Sequence, residues 1–439
     1  MKTETVEKAK QPLREITKDG RLVLHLHPGQ LRAWDSKKRF VFILAGSQSG
    51  KALDIETPIP TPRGFVRMGD LAVGDEVFDD TGRPCRVLYA TDVQYGRPCY
   101  QVSFDNGSYL LADGAHQWRT QTQKQRKNQN RQIENPNPSW TSRWQCQRQP
   151  RFGVVTTDMI RSTLLDFRGT SNHSIDITRA VQYPERALPI PPYTLGAWLG
   201  DGTSSCAVIT SADGAIIERI RAEGVPVAAG RENNAGKALS YPMTFGGGKG
   251  ERKVHGRPLS VQGRLRDLMV LNNKHIPEEY LTASMTQRME LLQGLVDTDG
   301  YCAKDGQCEF SSTKPVLVND FVCLLASLGI KSRVRTKRAM LYGKDCGLTY
   351  RVFFTTDIPV FSLPRKLARQ HTIVRQDMKR HFIREVAPVP SRPVRCIQVD
   401  SPSHLYLAGR SYIPTHNTSF LPHWLHREMT EVLAKKADP

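Results

Sequence analysis

Residues 45–51 read Ala45-Gly46-Ser47-Gln48-Ser49-Gly50-Lys51, one residue short of a phosphate-binding loop. The hydroxyl residue that would complete the loop stands far downstream at Thr418, followed by Ser419. Such a loop works only when its parts are contiguous, because backbone N–H groups at a helix N-terminus, the lysine and the hydroxyl all meet the same phosphates and cation. The joined string AGSQSGKTS keeps the GxxxxGK[ST] spacing, with Ala45 in place of the first Gly. Residues 52–417 therefore interrupt a nucleotide-binding fold at its least tolerant point and must fold as a body of their own. Once joined, Gly50 and Lys51 would hold phosphates and Thr418 would ligate Mg²⁺, so ATP binding is expected only of the complete host.

At 439 residues the chain is long enough for two to four domains with substantial cores. Its mean hydropathy of −0.45 is that of a soluble protein. The strongest apolar run, Phe40 to Leu44, falls well short of the roughly 20 residues a bilayer requires. It fits a buried strand leading into the phosphate loop. No basic-then-apolar signal segment opens the chain. The formal net charge of +19 points to a polyanion such as nucleic acid. The nine cysteines are an odd count without paired CxxC spacing, which predicts reduced thiols in a cytoplasm.

Residues 52 to about 118 read as short strands punctuated by turns at Pro62-Arg63-Gly64, Asp80-Thr81-Gly82 and Asp105-Asn106-Gly107. Residues 119–150, rich in Gln, Asn, Arg and Lys, read as a linker or mobile basic arm. Helical and strand signals alternate from about 185 to 385, short strands return over 386–417, and 418–439 reads as an amphipathic helix. The expected division is 1–51, 52–150, 151–385, 386–417 and 418–439.

Three blocks carry a resemblance. ALDIETPIPTPRGFVRMGDLAVGDEVFD (52–79), GSYLLADGAHQW (107–118) and CIQVDSPSHLYLAGRSYIPTHN-T (396–418) are similar to the conserved blocks of inteins. The resemblance implies a mainly β Hint fold, the horseshoe-shaped splicing domain shared with hedgehog autoprocessing domains, flanked here by short fragments of a P-loop α/β ATPase. It implies excision of residues 52–417 and ligation of Lys51 to Thr418. Cleaving a peptide bond without hydrolysis needs a nucleophile that forms an ester or thioester. Ala52 has none. Either Ala52 replaces a first-residue Cys and arrests splicing, or the chain resembles the intein class that natively lacks this nucleophile. That class carries a Trp near the activating His, a Cys in the penultimate block and a Thr after the final Asn, matched here by Trp118, Cys396 and Thr418.

In that class Cys396 would attack the Lys51 carbonyl, Thr418 would accept the acyl group, and Asn417 would cyclise to release it. His116 would act as a general acid at the Lys51–Ala52 bond. Asp113 stands where the family often has Thr. His416 would polarise the Asn417 carbonyl, His404 would assist as an acid or base, and Arg395 could lower the Cys396 pKa. Taken singly, Trp118 reads as a core aromatic, Cys396 as a small buried hydrophobe and His404 as a satisfied strand residue. Only their joint placement carries the resemblance.

LGAWLGDG (195–202) and LQGLVDTDG (292–300) are each similar to the LAGLIDADG homing-endonuclease motif. Small residues let two helices pack closely, so that Asp201 and Asp299 at their ends converge on divalent metal, with Mg²⁺ suited to hard carboxylates. The resemblance implies an inserted α+β domain acting as a monomer on double-stranded DNA, at the same host gene lacking the insert. Lys274 and Lys366, at similar distances after the two acids, are the candidate active-site lysines. Lys331, Arg333, Arg335 and Lys337 alternate as one face of a strand would, with Arg338 beside them, and could contact phosphates. Upstream, Pro28-Gly29-Gln30 with the strand and loop resembles the large terminase subunit of tailed phages.

Overall fold

The structure, a computed structural model, describes residues 14–16, 22–24, 52–134, 153–232, 238–244, 253–254, 257–258, 260–341, 344–370 and 376–417. The strand expected at Phe40–Leu44, the phosphate-loop residues Gly50 and Lys51, Thr418 and the helix expected over 418–439 lie outside the described residues. Two units are distinguished, Met1–Ser49 and Gly50–Pro439. In the first, Arg14–Ile16 pairs antiparallel with Leu22–Leu24.

In the second unit, all three turn signals close hairpins. Pro58–Thr61 pairs with Gly64–Arg67, Glu76–Phe78 with Pro84–Ala90, and Cys99–Phe104 with Tyr109–Asp113. Gly82 (φ 79°) and Gly107 (φ 89°) take the left-handed backbone that these turns need and a Cβ disfavours. The strands build an eight-stranded sheet in the order Gly153–Thr156, Gln117–Thr122, His173–Asp176, Arg380–Val389, Cys99–Phe104, Tyr109–Asp113, Leu53–Asp54, Val394–Arg395. The strand that opens the insert is thus adjacent to the strand that leads into Cys396. One face of this β module buries Trp118, Phe104, Leu110, Ile383 and Tyr406 in a continuous core.

Two sequence expectations change. Residues 119–134 are not a free arm: Gln117–Thr122 is a sheet strand and Gln123–Glu134 a helix. Arg126 anchors that helix through its Nη1, which donates to the carbonyls of Gln121 (2.7 Å) and Asn172 (2.8 Å), and its guanidinium lies over the Phe382 ring. The expected boundaries at 151 and 385 also move inward, because Gly153–Thr156, His173–Asp176 and Arg380–Val389 all complete the β-module sheet. Local composition cannot reveal strands that pair across so many intervening residues.

The central module, roughly 177–379, packs two copies of a similar unit. Each has a long helix that buries its apolar face, Pro192–Asp201 in one and Met285–Asp299 in the other. Antiparallel sheets follow, with Val208–Ser211, Leu239–Pro242 and Arg231–Glu232 in the first copy. The second has the strand order Gly300–Cys302, Cys308–Ser312, Lys344–Phe354, Ser332–Leu341. Ser284 and Gln287 form a reciprocal capping box that starts the second helix. Leu407 and Tyr412, from the closing hairpin Leu405–Ala408 and Ile413–His416, join this module's core.

Candidate functional site

The first candidate site forms where the opening strand of the insert meets the strand that leads into Cys396. Val394 pairs with Asp54 and Arg395 with Leu53, so continuing the register sets Cys396 opposite Ala52. Both are buried, and they pack with Cys99 and Val394 in one small apolar cluster. The Cys396 N–H donates to the Thr91 hydroxyl (3.1 Å), and the Cys396 carbonyl accepts from the Thr91 N–H (2.9 Å). Arg395 directs its guanidinium to the carbonyls of Thr91 and Gly69, both at 2.7 Å. Arg395 thus clamps main chain on either side of its strand.

The Ala52 nitrogen faces Asp113 Oδ1 at 3.4 Å, and the Asp113 N–H donates to the Ala52 carbonyl at 3.0 Å. Burial pushes the Asp113 carboxyl up to about 6, although Arg97, whose Nε donates to Oδ2 at 2.8 Å, opposes that shift. His116 is buried beside it, and its N–H donates to the Asp113 carbonyl at 3.1 Å. The Trp118 ring meets the His116 ring edge-on with centroids 4.8 Å apart, and its Nε1–H donates to the Thr157 hydroxyl at 3.0 Å. Thr157 in turn donates its N–H to the His116 carbonyl at 2.9 Å. Trp118 is thus a core aromatic that also walls in His116.

At the other junction, His416 Nδ1 donates to the Asn417 carbonyl oxygen at 2.7 Å. Asn417 is buried, its Nδ2 donates to the Val399 carbonyl at 3.1 Å, and its N–H donates to the His404 carbonyl at 2.8 Å. His404 takes a left-handed backbone (φ 56°), and its ring centroid lies 6.2 Å from that of His416. Arg97, Thr91, Thr157, Thr415 and the Val399 carbonyl were missed by sequence reasoning. Nothing local marks them, because each acts through a partner distant in sequence.

The second candidate site lies at the crossing of the two long helices. Gly196 and Gly294 back onto each other, and a Cβ on either would strike main-chain atoms of the partner helix. The close approach brings Asp201 and Asp299 together at the helix ends. Burial raises both carboxyls. Asp299 reaches about 6, with the Asp201 charge as a second cause. Lys274 donates to the carbonyls of Gly200 (2.9 Å) and Gly202 (2.7 Å), and Lys366 to those of Val296 (2.9 Å), Asp297 (2.7 Å) and Gly300 (2.6 Å). Each lysine thus satisfies carbonyls that a helix end leaves without partners. Burial lowers both lysines, Lys274 to about 8. No group of three or more His, Cys, Asp or Glu side chains is poised for metal among the described residues. The two hard carboxylates fit a divalent cation whose other ligands come from elsewhere, such as phosphate oxygens.

Along Ser332–Leu341 the expected basic strand is partly corrected. Lys331, just before it, is half-buried and pairs with Asp105 (2.7 Å) while donating to the Arg380 carbonyl (2.5 Å), so it fastens the two modules. Arg338 pairs with Asp345 on the surface. Arg333, Arg335 and Lys337 are exposed and share a sheet face with Phe353, Arg351 and Thr349. The opposite face, with Phe310, Val352 and Phe354, packs into the core.

No helix among the described residues is long and apolar enough to cross a membrane. Cys85, Cys99, Cys206, Cys302, Cys308, Cys323 and Cys396 are reduced thiols.

Residues 286–386, which span the second of the two long helices and the sheet after it, match the model of the LAGLIDADG-like domain. The chain is 41% identical over 387 residues to a replicative DNA helicase DnaB of Mycobacterium intracellulare, covering 86% of this chain and 60% of the relative. It is 45% identical over 95 residues to the corresponding protein of Mycobacterium leprae (strain TN), covering 22% of this chain and 14% of the relative. Among solved structures, the MchDnaB-1 intein aligns at 18% identity over 83% of this chain and 100% of its own, with a TM-score of 0.26. I-DmoI in complex with DNA and Ca aligns at 11% identity over 40% of this chain and 94% of its own, with a TM-score of 0.27. The expected terminase host is corrected by these relatives, which are replicative helicases; a phosphate loop is common to many ATPases, so the loop and its leading strand could not tell them apart. The chain spans 60% of the length of the first of these relatives, and within it residues 286–386 carry the likeness to the LAGLIDADG-like domain.

Proposed function

We propose that residues 52–417 are an intein that excises itself and joins Lys51 to Thr418, and that its central module cleaves double-stranded DNA. The observation that carries the first half is the register that sets Cys396 against Ala52, the residue whose nitrogen closes the scissile bond. The Cys396 thiolate attacks the Lys51 carbonyl carbon. The C–N bond to Ala52 breaks, and the Ala52 nitrogen leaves as an amine, taking a proton from Asp113, which faces it, or from His116. The resulting thioester passes to the Thr418 hydroxyl. Asn417 Nδ2 then attacks its own carbonyl, whose oxygen His416 Nδ1 already polarises, and the Thr418 amine is released as a succinimide forms. An O-to-N acyl shift closes the new peptide bond. No cofactor takes part, and Cys396 on the neighbouring strand makes a first-residue nucleophile unnecessary, which favours Ala52 as native over a splicing arrest.

In the second activity, Asp201 and Asp299 would hold a divalent cation, with Mg²⁺ the proposal, and the cation would supply Lewis-acid activation at the phosphodiester. Lys274 and Lys366 place positive charge beside the acids. Arg333, Arg335 and Lys337 meet the DNA backbone from an exposed sheet face. The host is a phosphate-loop ATPase, in which Gly50, Lys51 and Thr418 would bind ATP and Mg²⁺ after joining. An intact-mass and gel time course of the precursor beside Cys396→Ala tests the splicing reading. Ligated flanks that appear only with Cys396 support it. A precursor that stays intact, or that cleaves only at Asn417, overturns it in favour of an arrested intein.

A further inference from the structure

We propose that Thr415 is a positioning residue for His116: its hydroxyl donates to Nε2, fixes the imidazole as the Nδ1–H tautomer, and ties the upstream junction to the strand that carries the downstream one. The inference rests on the splicing reading and names a residue that this reading does not use. His116 Nε2 and Thr415 Oγ1 form a short hydrogen bond of 2.5 Å, although they are 299 positions apart in the chain. Both residues are fully buried. Thr415 belongs to the strand Ile413–His416, whose end leads directly into Asn417. Strand alternation puts Thr415 on the face opposite His416 and on the same side as Asn417.

The other contacts described around His116 fix its backbone or its ring plane. Asp113 and Thr157 hold its main chain, and Trp118 lies edge-on to the ring. None of these three selects which ring nitrogen carries the proton. The Thr415 hydroxyl, donating as proposed, does, because a donor at one nitrogen of a neutral imidazole leaves the proton on the other. Proton transfer at the Lys51–Ala52 bond then depends on a side chain two residues from Asn417, whose cyclisation frees the downstream flank. A disturbance of the closing strand would reach His116 before any bond is cut.

The test compares Thr415→Val, which keeps the shape and removes the hydroxyl, with Thr415→Ser, which restores it. Imidazole ¹⁵N shifts are read in a full-length Cys396→Ala/Asn417→Ala background, where no chemistry intervenes. One Nδ1–H tautomer in the parent and in Thr415→Ser, with a mixture in Thr415→Val, is the expected result. The same tautomer in Thr415→Val overturns the proposal. In the reactive chain, thiol-induced release of the N-terminal flank should slow about tenfold in Thr415→Val and recover in Thr415→Ser. Equal rates in all three overturn it. If the reactive parent forms no thioester at all, the splicing reading falls, while the ¹⁵N result still decides what Thr415 does to His116. Matching thermal melts for the two variants separate the effect from misfolding.

Discussion

The Tyr412 hydroxyl lies 3.1 Å from that of Tyr183, and both phenols are buried in the core of the central module. Tyr412 belongs to the closing hairpin that carries His416 and Asn417 toward the downstream junction. Its left-handed backbone (φ 51°) turns it into that core, where the Phe65 ring packs at 5.7 Å. The hairpin is therefore seated by the module it closes over. Tyr412→Ala should cost about 3–5 kcal/mol and slow Asn417 cyclisation, whereas Tyr412→Phe should cost only about 1 kcal/mol. Chemical denaturation together with the rate of cleavage at Asn417 checks both. Equal behaviour of the two variants would show that the aromatic body contributes nothing to seating.

In the proposed first step, Asp113, whose carboxyl lies near 6, gives up a proton while the Cys396 thiol must lose one. The rate of the first step depends on the product of protonated Asp113 and ionised Cys396, which gives a bell-shaped pH profile. In Asp113→Asn the alkaline decline should vanish, and the rate near neutrality should fall about 100-fold. Rates of thioester formation across pH 5–10 decide it; an unchanged bell in the variant would assign the proton to another group.

Asp299 is raised like Asp113 but is needed in its ionised form. Its carboxyl is raised to about 6, so the neutral acid is favoured below that value and the carboxylate, which costs stability in this buried site, predominates above it. Stability from this group is therefore lost as pH rises from about 4 to about 6, and a bound divalent cation restores it. Mg²⁺ should raise the melting temperature little at pH 5 and clearly at pH 7, and DNA cleavage should rise across the same range. A metal-induced shift of equal size at both values would rule out Asp299 as a ligand.

Gly294→Ala places a methyl against the backbone at Tyr193 and Ala197 of the opposing helix. Main chain cannot rotate aside as a side chain can, so the helices must separate at a cost of about 1–3 kcal/mol or more. Asp201 and Asp299 would move apart with them. DNA cleavage should be lost at temperatures where the protein remains folded by circular dichroism. Retained cleavage would show that the acids do not need this close crossing.

Replacing Arg333, Arg335 and Lys337 by Gln should weaken DNA binding and lower the salt slope by about 0.9 for each phosphate that is no longer neutralised. Lys331→Gln should instead lower stability, because Lys331 pairs with Asp105 across the two modules. Titrations at several salt concentrations and a thermal melt separate the two effects.

The sequence by itself named the candidate residues. Ala52, Asp113, His116, Trp118, Cys396 and His416–Asn417 could be nominated because they fall in the blocks that resemble those of inteins. The turns at Gly64, Gly82 and Gly107 were legible because a left-handed backbone nearly demands glycine. Gly196 and Gly294 were legible because only small residues permit a close helix crossing. Tertiary structure alone decided the rest. It drew 153–176 into the β module, anchored Arg126 on the Asn172 carbonyl, made Lys331 a fastener, and set Thr415 against His116. In each case the partner lies far away in the chain, and a hydrogen bond or ion pair between distant residues leaves no periodicity or spacing in the sequence of either.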